Sequence, residues 1–202
     1  MTYRLGDIII DPGDVWRFDG VSHVLLTHVH FDHISGLNEL LKVSPSAKVY
    51  TNGFGRDALL DPRKNMSFYH GDSFVFAHPE SIVVLQETTD YPLPDVSQLS
   101  ERPLDSDVQK SIVIANGTVA HPIYPVSYYL TPGHNPSCVT WVVGDAVFSG
   151  DAYIPGVRTV TKLPYGNKAD AVRSEQLIRH LVKSRNLYPG HHIDPSLAKV
   201  LR

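Results

Sequence analysis

The chain has 202 residues, 42% hydrophobic and 19% charged, with a formal net charge of −3 at pH 7. That length suits one domain over residues 1–202, and the acidic balance speaks against a general nucleic-acid binder, which needs a basic excess. Cys138 is the only cysteine, which excludes an intrachain disulfide; with no signal pattern in Met1 to Asp7 and no apolar run of spanning length, a cytoplasmic protein without membrane association is expected.

Asp7 to Ile10 reads as a short apolar strand stopped by Asp11-Pro12-Gly13. Val21 to Thr27 reads as a second strand, and it delivers Thr27-His28-Val29-His30-Phe31-Asp32-His33 at its C-terminal end. The pattern H-x-H-x-D-H packs three imidazoles and one carboxylate into six residues. On extended chain His28 and His30 point the same way. Neutral imidazole is a good zinc ligand and a carboxylate suits a harder second position. The stretch therefore reads as a metal site before it reads as a histidine-rich surface turn. Ser35 to Lys42 predicts a helix with Leu37, Leu40 and Leu41 on one side. Ala47 to Thr51 reads as a strand, and Ser73 to Gln86 as two strands joined at His78-Pro79.

Residues 87–109 change character, gathering Glu87, Asp90, Asp95, Glu101, Asp105 and Asp107 among Pro92, Pro94 and Pro103. Such an acidic, proline-bearing segment is either a solvated connection or a lid over the site. Strands resume at Ser111 to Ala115, Val126 to Leu130, Val139 to Val143 and Ala146 to Phe148, with Gly144-Asp145 as a hairpin turn. Lys168 to Ser184 predicts a helix in which Leu177 with Leu181, and Ile178 with Val182, stack one turn apart. Asn186 to Tyr188 is a last strand, ended by Pro189-Gly190. Many strands with helices between them, but no regular βαβ alternation, predict an α/β fold of sheets with helices packed outside.

Three later sites repeat one design, a polar residue directly after a strand and a glycine: Gly133-His134, Gly150-Asp151 and Gly190-His191. With these five motifs in order, the chain resembles the metallo-β-lactamase superfamily over nearly its whole length. The runs LTHVHFDHISGL, TPGHNPSC, FSGDAYIPG and YPGHH are most similar to the glyoxalase II type of hydrolase. The resemblance implies a four-layer αββα sandwich, compact and with a short N-terminus. It implies that His28, His30 and His134 hold one metal, that Asp32, His33 and His191 hold a second, and that Asp151 bridges both. The implied cofactors are two divalent ions, zinc first, with iron or manganese also compatible with nitrogen and carboxylate ligands. Two such ions about 3.5–4 Å apart can share a hydroxide as nucleophile, and Asp32 is the candidate acid/base.

Tyr153 is a second catalytic candidate, because lactone-cleaving relatives carry a tyrosine close to this position; packing on the loop is its competing role. Cys138 is read as a small core residue. His23, His70, His78, His121, His180 and His192 fall outside the motifs and read as structural or exposed. Arg158 and Lys162 follow Asp151 and are placed to meet an anionic substrate. The helical domain that holds glutathione in true glyoxalase II is not expected, since the chain ends eleven residues after His191. The expected substrate is a small ester, thioester or lactone. The alternative is a phosphodiesterase acting on a nucleotide or nucleic acid, although nucleic acid is not the expected partner. A metal-binding protein without turnover is a third, weaker reading.

Overall fold

The computed structural model describes residues 1–13, 18–86 and 116–192. The acidic segment 87–109 and the strand expected over Ser111 to Ala115 lie outside the described residues. The described chain forms two five-stranded sheets. The first runs β1 (Tyr3–Leu5), β2 (Ile8–Ile10), β3 (His23–Leu25), β4 (Lys48–Thr51) and β5 (Ile82–Val84) in spatial order, antiparallel between β1 and β2 and parallel thereafter. The second runs β10 (Asn186–Pro189), β9 (Ala146–Gly150), β8 (Val139–Val143), β7 (Val126–Leu130) and β6 (Asn116–Val119). It is antiparallel except for the β9–β10 pair.

Strand alternation builds the layers. Ile8 and Ile10 of β2 and Leu25 of β3 face the second sheet, where they meet Val139, Trp141, Val143 and Phe148. Ile9, Val24 and Leu26 face the other way, against Ile34 of α1 (Phe31–Ile34), Leu37, Leu40 and Leu41 of α2 (Leu37–Val43), and Ala58 and Leu59 of α3 (Gly53–Leu59). On the far side, Val142 and Val147 turn outward onto Leu177 and Leu181 of α4 (Lys168–Leu181). The order helix, sheet, sheet, helix is the four-layer αββα sandwich. Trp141 ties the two sheets further, its indole N–H donating to the Leu26 carbonyl at 2.9 Å.

Three departures from the sequence reading concern the helices and loops packed around the first sheet. The helix expected over Ser35 to Lys42 is α2, which begins only at Leu37, and a separate helical turn that was not expected, α1, precedes it across Ser35 and Gly36. Ser73 to Ala77 forms no strand, because side chains satisfy its backbone: Ser67 Oγ accepts from Phe74 N, Asn65 Nδ2 donates to Phe74 O, and Asn38 spans Val75 O and Ala77 N. Helix α3 is unexpected in a stretch with two glycines. Asn52 starts it by accepting from Gly55 N at 2.8 Å, and a Cβ at Gly55 would stand 1.9 Å from Thr51 Oγ1. Among the described residues no helix is long and apolar enough to cross a membrane.

Candidate metal centre

The centre is assembled where strands end. Past β3 the chain stays extended through His30 (φ −67°, ψ 147°) before α1 begins. That geometry buries Val29 in the helix-side core and turns His28 and His30 together toward His134. Asp32 and His33 lie in α1 itself. Gly13 permits this arrangement, since a Cβ there would lie 1.8 Å from the Asp32 carbonyl oxygen. His134 follows β7, Asp151 follows β9 and His191 follows β10. Gly133 and Gly150 turn with φ of +137° and +51°, as expected of glycine. Gly190 serves differently: its missing Cβ would lie 2.2 Å from Asp151 Oδ1 and 2.9 Å from His33 Cε1, so its bareness makes room for the cluster.

All seven residues singled out from the sequence meet here. Their ligating atoms form three overlapping sets, each within 4.8 Å: His28, His30 and His134; His28, His33 and Asp151; Asp32, His33 and His191. His30 Nδ1 is 3.0 Å from His134 Nε2. His191 Nε2 is 3.3 Å from Asp32 Oδ2 and 3.2 Å from Asp151 Oδ2. Asp151 lies between the outer sets, with Oδ1 3.5 Å from His33 Nε2 and Oδ2 3.7 Å from His134 Nε2. His28 and His33 are fully buried, whereas the side chains of Asp32 and His191 are each 47% exposed, so the cluster opens on their side.

Burial, reinforced by neighbouring imidazoles, holds His28 well below the usual histidine range and pushes His30 down to about 3. Burial also lowers His134. These three are neutral imidazoles, the form that ligates metal. His33 and His191 behave oppositely. Burial pulls His33 down, but the charges of Asp11, Asp151 and Asp32 more than offset it. Hydrogen bonds to Asp151 and Asp32 carry His191 up to about 10. Burial pushes the carboxyls of Asp32 and Asp151 up, yet His191 and His33 outweigh it and hold both below the usual range.

The donor set fits a divalent cation. His28 Nε2 and Asp151 Oδ1 are buried without a hydrogen-bond partner, the condition an ion would relieve. Three nitrogens face one point, and a carboxylate-rich set stands beside them, a combination suited to zinc or to iron.

A layer of support lies behind the ligands. Asp11, buried and at φ +51°, accepts from Thr27 N at 2.7 Å on Oδ1, and from Thr27 Oγ1 and His33 Nδ1 (2.8 Å) on Oδ2. Thr27 Oγ1 is 3.3 Å from His28 Nδ1, and His134 Nδ1 donates to Val160 O at 2.8 Å. Asn135 Nδ2 is 3.0 Å from His30 Nε2. For His28, His33 and His134 such partners leave the nitrogen that faces the cluster free to ligate. The sequence reading passed over Asp11, Thr27 and Asn135. The available signal was Asp11 closing an all-apolar strand, where a carboxylate must find buried donors.

Residues 6–194 match the family described as the metallo-beta-lactamase superfamily. The chain belongs to that superfamily. It is 27% identical over 175 residues to glyoxylase B2 of Dictyostelium discoideum, covering 85% of this chain and 50% of that protein. It thus spans about half the length of the curated relatives it matches. Among solved structures, the BLEG-1 B3 metallo-beta-lactamase superposes with a TM-score of 0.63 at 21% identity, covering 95% of this chain and 85% of that one. TTHA1623, determined in a di-iron-bound form, superposes with a TM-score of 0.58 at 20% identity, covering 95% and 87%.

Within the metallo-beta-lactamase framework the remaining candidates are placed as follows. Tyr153 is not brought to the cluster. Its ring is buried with Cys138, Ala152 and Ile178, and the Arg179 guanidinium of α4 lies 4.9 Å from the ring centroid. Cys138 is a core residue whose thiol burial pushes up. Arg158 lines a recess beside His134 and Asp151 together with Ile154, Val157 and Val160; Lys162 is exposed and does not line it. His192 is exposed. His23 and His121 gather with Asp7 in a second histidine–carboxylate trio. There His121 Nδ1 accepts from Ile123 N (3.2 Å) and Tyr124 N (3.0 Å), so its proton sits on Nε2 and goes to Asp7 Oδ1 at 3.0 Å. That ring offers Asp7 a proton and has no lone pair left for a metal; it ties the end of the second sheet to the first.

Proposed function

We propose that this chain is a dinuclear metal-dependent hydrolase of a small ester, thioester or lactone. The observation that carries the reading is the pair of ligand sets joined through Asp151 beside a mainly apolar recess. His28, His30 and His134 would hold one ion; Asp32, His33 and His191 would hold the other. Zinc is the proposed metal, and the same donors accept iron or manganese. A pair of divalent ions supplies Lewis acidity and a water acidified to near neutrality.

The chain's own groups do the rest. Asp32 lies on the open side with its carboxyl in the base form, placed to take a proton from an attacking water. Ile154, Val157 and Val160 keep the recess mainly apolar, which favours an acyl group over a phosphodiester. Arg158, the one cation lining that recess among the described residues, favours an acyl substrate carrying one anionic group. The phosphodiesterase alternative draws on the same Arg158/Lys162 loop and on precedent in the superfamily.

The deciding experiment loads the purified protein with zinc and measures turnover of a chromogenic thioester, a lactone and bis-(p-nitrophenyl) phosphate, each against Asp32→Ala. Acyl hydrolysis lost in the variant is expected. Phosphodiester hydrolysis lost in the variant, with no acyl turnover, would replace the reading by its alternative.

A further inference from the structure

The support behind the two ligand sets is chemically unequal. Behind His33 stands a carboxylate, Asp11, which accepts the ring's Nδ1 proton. Behind His30 stands an amide, Asn135. An amide has one accepting atom and one donating atom, on opposite sides, so its orientation matters.

Ser137 settles that orientation. Its backbone N–H, which can only donate, lies 2.9 Å from Asn135 Oδ1, and its hydroxyl lies 2.6 Å from the same oxygen. The hydroxyl also accepts from Val29 N at 3.1 Å, which leaves its proton for Asn135. Asn135 therefore presents oxygen to Ser137 and nitrogen to His30. His30 Nε2 accepts from that nitrogen at 3.0 Å, so the His30 proton sits on Nδ1 and is donated to His134 Nε2 at 3.0 Å. His134 passes the pattern on by donating from Nδ1 to Val160 O. Every donor meets an acceptor along this line.

The arrangement suits the chain without an ion and opposes one. Nδ1 is the His30 atom that faces His28 and His134, hence the atom that would ligate. A ligating Nδ1 moves the ring's proton to Nε2, directly against the Asn135 NH2 group. Turning the amide over would instead set NH2 against Ser137 N–H. We propose that Asn135 is a positioning residue that orients His30 and, through its commitment to Ser137, weakens ion binding at the His28/His30/His134 position below what the same three imidazoles can deliver. The proposal rests on the metal-centre reading above. Its consequence is an exchangeable ion at this position, while the position backed by Asp11 stays better supported.

Asn135→Asp supplies an oxygen to each side at once. Zinc affinity measured by chelator competition should rise about 10- to 100-fold, the range over which partners behind a ligand act. A folded N135D protein that binds zinc no more tightly than wild type would overturn the proposal. A second measurement needs no variant: long-range nitrogen–proton NMR of the imidazoles in metal-free protein. It should find the His30 proton on Nδ1, moving to Nε2 when zinc is added; a proton already on Nε2 before addition would overturn the proposal. Zinc that fails to bind wild type at all would overturn the metal-centre reading, whereas the metal-free spectrum tests Asn135 independently.

Discussion

Asp11→Asn changes one atom of a buried side chain and should disable one ion position selectively. Asp11 Oδ1 faces Thr27 N, a fixed donor, so the introduced amide must keep its oxygen there. Its NH2 group then takes the place of Oδ2, opposite Thr27 Oγ1 and His33 Nδ1. The threonine hydroxyl can rotate to accept. His33 cannot donate to NH2, and relief comes only by moving its proton to Nε2, the atom aimed at Asp32, Asp151 and His191. A protonated Nε2 is no ligand. Losing one buried hydrogen bond to a charged group costs about 1.5–3 kcal/mol. For a chain of 202 residues that lowers the melting temperature of metal-free protein by roughly 3–12 °C. Affinity at the Asp32/His33/His191 position should fall by roughly 10- to 100-fold. Stepwise zinc titration against a chelator, with calorimetry of the metal-free chain, reads both numbers. Two ions bound at wild-type affinity would refute the tautomer argument, and an unmoved melting temperature would refute the energetic one.

Other outcomes follow from the same geometry. Tyr153→Phe should leave turnover within about twofold of wild type, because the ring packs against α4; a tenfold loss would restore a catalytic role to its hydroxyl. Gly190→Ala should displace Asp151 and cost about 2 kcal/mol of stability, with zinc content falling below two ions per chain by elemental analysis; full occupancy would contradict the close approach. Burial pushes the Asp7 carboxyl up, but hydrogen bonds from His121, Ser22 and the backbone together with the His121 charge outweigh it and hold the group below its usual range. Its stabilisation is therefore present above roughly pH 4 and lost as pH falls through the folded value. Asp7→Asn should cost about 1 kcal/mol at pH 7, a gap that closes as pH falls through the folded value of Asp7 in urea unfolding; a gap that stays constant down the acid limb would discount the pair.

Much of this architecture was legible because burial imposes alternation. Val126–Leu130 and Val139–Val143 read as strands from their apolar pattern and form β7 and β8 with those bounds. The apolar stripe of α4 was equally plain, although its last turn tightens into a 3-10 turn at Val182–Ser184. Where pattern and partner diverge, reading failed. Phe74 and Phe76 alternate like a strand, but neighbouring side chains satisfy the surrounding backbone. Edge strands such as Tyr3–Leu5 and Asn116–Val119 are short and carry little apolar signal. The ligand set was visible because histidine and aspartate announce their chemistry. Its support was not: Asp11 looks like a turn residue, and Asn135 matters only through a ring more than a hundred positions earlier.

The division of ligands between the sheets has a mechanical meaning. His28, His30, Asp32 and His33 belong to the half of the chain that builds the first sheet; His134, Asp151 and His191 belong to the half that builds the second. Neither half owns a complete position, for each draws on both. An ion at either proposed place would be a rivet through the seam, its binding free energy shared out as cohesion between two separately woven cloths. Cut in the segment between them, the two pieces would become a reporter: they should rejoin in proportion to the free zinc around them and part when it is withdrawn.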